Sequence, residues 1–178
     1  MSEHIKTIPP RSALDKANSI AKTGENIVIL AGIIHIIIVW SNLLFPDLLA
    51  IEMDTLRGSL MGILFLWLSL GIRRRNRVIA IITLIAWATD TLLKYVLNSG
   101  IASGPLFIRA GLAIGLFIGI VGCFMFRSVQ KSNRDKEAFS KEIIESIPPI
   151  DHARIIIFSA LSIVGLGAFV SELYRILI

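Results

Sequence analysis

NIVILAGIIHIIIVWSNLLF, residues 26–45, decides the fold class. The stretch carries no charge and a single imidazole, His35. A helix of this length rises about 30 Å, the thickness of a bilayer's hydrocarbon core. No alternation of apolar and polar residues breaks it, so a lipid-facing barrel strand is excluded. In hydrocarbon each backbone N–H and C=O must find its partner within the segment, which a helix provides.

Working outward, four more blocks of this kind follow: 56–72 (LRGSLMGILFLWLSLGI), 78–97 (VIAIITLIAWATDTLLKYVL), 105–126 (PLFIRAGLAIGLFIGIVGCFMF) and 155–178 (IIIFSALSIVGLGAFVSELYRILI). The composition agrees: of 178 residues 54% are hydrophobic and only 17% charged, against about a quarter charged in ordinary soluble domains. The expectation is an all-α polytopic membrane bundle of five transmembrane helices: a cytoplasmic N-terminal tail (1–25), one helical domain (26–178) and a cytoplasmic linker (127–154). Residues 1–24 are polar, contain Pro9-Pro10, and lack the short apolar core and small-residue cleavage site of a signal peptide.

Orientation follows from the placement of Lys and Arg. The tail holds Lys6, Arg11, Lys16 and Lys22; the link between the second and third blocks holds Arg73, Arg74, Arg75 and Arg77; the linker holds Arg127, Lys131, Arg134, Lys136, Lys141 and Arg154. The intervening loops hold acids or no charge: Asp47, Glu52 and Asp54 in 46–55, nothing in 98–104. Five crossings then put the N-terminus in the cytoplasm and the C-terminus outside, in an inner membrane. The net charge of +5 reads as topology rather than as a nucleic-acid surface.

Two polar stretches are open to two readings each. Ser12 can cap a helix with Leu14, Ala17 and Ala21 on one side; residues 135–146 carry Phe139 and Ile143 at four-residue spacing, continuing to Ile147. Either is a helix lying flat at headgroup level or a solvated linker. Asp151 suits an N-cap for the last span.

Ionisable residues at membrane depth are functional candidates. Asp90 and Lys94 stand four apart on one helix face, acid first, the favourable order. Arg57, Arg109, Glu172 and Arg175 fall at the same outer level. One reading is a polar site for a lipid-headgroup phosphate or small anion, lined by Arg57, Asp90, Lys94 and Arg109. The other is that Lys94, Arg109 and Arg175 snorkel to the interface while Asp90 satisfies Lys94. His35 reads as a buried histidine bonded to its surroundings, or as a proton relay. No second His or Cys stands at metal spacing, Cys123 is the one cysteine, and no cofactor is implied.

Small residues mark packing faces. Gly111, Gly115 and Gly119 repeat every four residues, as do Gly58 and Gly62; Ser159, Ser162, Gly165, Ala168 and Ser171 make a stripe in the last span. These faces are internal to the bundle, or meet a second copy or a membrane-protein partner. Asn42, Thr89 and Thr91 can bond across helices. No Gly-rich phosphate loop, HExxH or nucleophile elbow is present, and no enzyme is expected.

From Leu56 onward the order of features resembles the last transmembrane part of the lysylphosphatidylglycerol synthetase (multiple peptide resistance factor) family. Gly62 and Gly71 precede an arginine run (Arg73, Arg74, Arg75), a span ends Leu92-Leu93-Lys94, and another ends at Phe126-Arg127. The family's soluble transferase domain does not follow here, so its activity is not carried over. The resemblance implies a non-catalytic accessory membrane module associated with aminoacyl-phospholipid modification or handling. The alternatives are a small transporter or channel subunit with Asp90 as coupling carboxylate, or a structural assembly factor.

Overall fold

The computed structural model describes residues 10–45, 55–97, 103–132, 147–149 and 151–177; side chains at 10–11, 93–97 and 103–108 lie outside that description. All regular structure among the described residues is helical: α1 (Pro10–Leu44), α2 (Thr55–Arg73), α3 (Arg77–Leu97), α4 (Ser103–Ser132) and α5 (His152–Leu177). By length and composition α1, α2, α4 and α5 are able to cross a membrane.

Helix ends follow local chemistry. Pro10 opens α1, where its missing N–H costs nothing; the helix therefore starts two residues before Ser12, which is not its cap. Asp151 Oδ1 accepts from Ala153 N at 3.0 Å and caps α5 as expected. Asn76 Oδ1 accepts from Val78 N at 3.0 Å and caps α3. Helix α2 ends in a Schellman turn: Asn76 N reaches Gly71 O at 3.0 Å and Arg75 N reaches Ile72 O at 2.9 Å. The left-handed position of that turn usually takes glycine, yet Arg75 fills it with φ 58°.

Helices α1 to α4 pack in a ring, each against the next and α4 against α1; α5 lies outside it, mainly against α2 and also on α1. The α1–α4 contact is antiparallel and close. A Cβ on Gly119 would lie 2.8 Å from Gly24 Cα, and Gly122 meets the Ala21 backbone equally tightly. Gly62 of α2 packs on Gly32 O, 3.1 Å from where its Cβ would be. Small residues let the backbones approach closely along these seams, where dispersion holds them. Helix α5 is pinned by two indoles: Trp40 Nε1 donates to Val164 O (3.1 Å) and Trp67 Nε1 to Ser162 Oγ (3.0 Å).

All five helices match their apolar blocks to within a turn at the end of the bundle that holds Arg57, but α1 and α4 overrun their blocks at the other end. Residues 10–25 are neither a flat surface helix nor a linker: they are the first turns of α1, continuous with the span. Their apolar stripe, Leu14 and Ala17, is buried against Phe126, with Met125, Val129 and Ile147 around it. The charges at Glu25 and Arg127 end an apolar block without ending a helix, because each helix covers the other beyond that point. Residues 135–146 lie outside the described residues.

Candidate functional site

Charge within the bundle is confined to two levels. On α2 these are Arg57 near the start and Arg73 at the end, about 24 Å apart at 1.5 Å per residue. Between those levels the described helices carry only His35 as a titratable group other than Cys123.

At the first level Asp90 of α3 is buried (6% exposed). Arg57 Nε donates to its Oδ1 at 2.8 Å, and Arg57 Nη2 to its backbone O. Arg109 Nη1 from α4 reaches Oδ2 at 3.4 Å and donates to Thr91 Oγ1 at 3.0 Å. Three helices thus converge on one carboxylate, with Arg57 the most open of the three side chains. The described partners of Asp90 are arginines of neighbouring helices; the Lys94 side chain lies outside the described residues. Glu172 and Arg175 pair with each other at 3.8 Å, and Arg175 is largely exposed, so they stand apart from this group. A guanidinium fork is suited to bidentate recognition of phosphate or carboxylate.

At the second level stands a group that the sequence reading passed over. Glu25 of α1 is 2% exposed. Its Oε1 accepts from Arg73 Nη1 at 3.2 Å and from Arg154 Nη1 of α5. Arg73 Nε also donates to Pro149 O at 3.1 Å. Beside them Arg75, 6% exposed, donates from Nε to Asn18 Oδ1 (2.9 Å), from Nη1 to Ile72 O (3.2 Å) and from Nη2 to Asn18 O (3.3 Å). Burial pulls its guanidinium below the ordinary arginine value; the Cys123 thiol and Glu25 oppose this, and Arg73 reinforces it. In the sequence Arg154 reads as a topology signal, the arginine run as topology and as part of the family resemblance, and Glu25 as the end of the polar tail. The one available signal was a lone acid immediately before an apolar block, on the side where bases gather.

His35 is buried; its Nδ1 lies 2.8 Å from Ala31 O and its ring meets Phe65 edge-on at 5.5 Å. Of the glycines singled out, Gly62, Gly115 and Gly119 lie in interhelical contacts: Gly115 faces Ile27 and Gly119 faces Gly24. Gly58 is buried. Gly111 is exposed, with no described atom within 4 Å of a Cβ built there, so the small-residue seam opens toward that end of α4. Ser162, Gly165 and Ala168 of the α5 stripe are buried. Among the described residues no three His, Cys, Asp or Glu side chains gather as metal ligands. No family model, curated protein or solved structure matches this chain.

Proposed function

We propose that the chain is a five-span inner-membrane protein, N-terminus cytoplasmic and C-terminus outside, that acts as a non-catalytic accessory module holding anionic phospholipid. The convergence of Arg57 and Arg109 on Asp90 carries this reading. Two guanidiniums face one carboxylate at a partly open position near the outer membrane level. Arg109 commits only Nη1, to Asp90 and Thr91, and its other donors suit a headgroup phosphate. The apolar run of α3 and the level of Asp90 support a fifth crossing. The two-level arrangement of charge fits the hydrocarbon thickness of about 30 Å. The resemblance of residues 56–127 to the membrane part of aminoacyl-phospholipid synthetases favours a lipid ligand over a soluble one. Asp90 has both oxygens engaged, which favours an anchoring role over that of a proton-coupling carboxylate.

The test is purification in mild detergent with mass spectrometry of the retained lipid. Phosphatidylglycerol should be enriched over the bulk membrane and lost in the Arg57→Gln, Arg109→Gln double variant. Equal lipid composition in both, or no enrichment in either, rejects the reading. If Asp90→Asn instead abolished proton-coupled uptake into vesicles while Arg109→Ala left it intact, a transporter subunit would replace it.

A further inference from the structure

The second charged level holds three guanidiniums, Arg73, Arg75 and Arg154, against the single carboxylate of Glu25. The local excess is two positive charges, and it sits where the α2 and α5 spans meet the membrane boundary. Arg75 is buried, 6% exposed, and each of its nitrogens already donates to Asn18 or Ile72. It contributes field only. Arg73 commits Nε to Pro149 O and Nη1 to Glu25; Arg154 commits only Nη1, to the same Glu25 oxygen. Among the described residues Arg73 Nη2 and Arg154 Nε and Nη2 have no protein acceptor. Both side chains are anchored on one oxygen, so their remaining donors start from a common point. The carboxylate is covered while the Arg154 side chain is 29% exposed, so the open side of the group is cationic. Excess charge beside hydrocarbon is costly unless a counter-anion completes it, and paired guanidinium forks match a phosphate's oxygens.

We propose that Arg73 and Arg154, set by Glu25 and reinforced by Arg75, form a second phosphate-binding site, for the phosphate of an anionic phospholipid or a free phosphate. Its assignment to the cytoplasmic leaflet rests on the orientation proposed above. Its existence does not, because its residues are distinct from Arg57, Asp90 and Arg109.

The full-length protein in phosphatidylcholine nanodiscs, titrated with phosphatidylglycerol and separately with inorganic phosphate, provides the test, read by thermal unfolding and native mass spectrometry. Arg154→Gln should weaken binding about tenfold, the loss expected for one charge-assisted bond. Glu25→Gln removes the competing carboxylate and should strengthen it, an effect that a merely structural ion pair does not produce. Arg57→Gln should leave this site's binding in place. Should Arg154→Gln fail to fold, Arg154→Lys is expected to fold and bind more weakly than wild type, because it keeps the charge but loses the fork. Response to phosphatidylglycerol alone identifies a lipid, and response to inorganic phosphate a soluble anion. No response to either, or unchanged binding in Arg154→Gln, overturns the proposal.

Discussion

The two charged levels are built alike but differ in depth. Each has one buried carboxylate bridged by two arginines from other helices: Asp90 by Arg57 and Arg109, Glu25 by Arg73 and Arg154. Helix α2 supplies one arginine to each. Sixteen positions separate them, so at about 100° per residue they point to roughly opposite faces of α2. One end of α2 is therefore tied to α3 and α4, the other to α1 and α5, and α2 braces the bundle diagonally. The difference lies in closure. The α1–α4 seam is tight near Glu25, where Gly24 meets Gly119, and open near Arg109, where Gly111 touches nothing described. The Glu25 level is backed by a tight helix seam, further held by Arg75 and open only on the side of Arg154; the Asp90 level has no such seam behind it.

This contrast can be broken by removing each carboxylate in turn. Glu25→Ala should cost the most, about 3–5 kcal/mol, because it strands two arginines beside a buried third. Asp90→Ala should cost less, about 1–3 kcal/mol, since its carboxylate is the less covered of the two, 7% exposed against 2%. Thermal unfolding in one detergent ranks the two directly, and equal losses would remove the asymmetry.

The glycines sharpen it further. Gly119→Ala places a methyl against the Gly24 backbone and should destabilise by about 1–3 kcal/mol. Gly111→Ala, eight residues along the same helix, should change stability by no more than about 0.5 kcal/mol. A comparable loss at both positions would mean that the seam is closed along its whole length. At Arg75 two effects oppose each other. Arg75→Gly relieves a left-handed residue, worth about 1 kcal/mol, but loses the bonds to Asn18, so the two partly cancel. Arg75→Ala keeps the strain, loses the bonds, and should be the less stable of the pair.

The helices were legible because long uninterrupted apolar blocks favour one continuous helix each, and α2, α3 and α5 begin and end within a turn of their blocks. The overruns of α1 and α4 were not, because they depend on a helix pair: Leu14 and Ala17 are weak signals until Phe126 is found opposite. The Asp90 level was visible since a charge inside an apolar block is anomalous whatever surrounds it. Its described partners were not: helical spacing points to Lys94, whose side chain lies outside the described residues, while Arg57 and Arg109 arrive from distant parts of the chain. Glu25 and Arg154 were hidden for the opposite reason. Each sits at a block's edge, where a charge is ordinary, and only the packing of α5 on α1 and α2 makes them partners. Likewise the glycines of α4 announced a seam, but its other half, Ala21 and Gly24, has no repeat of its own to read.

The central claim is that these two levels face opposite sides of a membrane. Single cysteines introduced as Arg74→Cys and Arg175→Cys, both exposed positions, in a Cys123→Ala background would test it with a membrane-impermeant thiol reagent on intact cells. The account predicts labelling of Arg175→Cys from outside and of Arg74→Cys only after the membrane is opened. Labelling of both positions from the same side would contradict it.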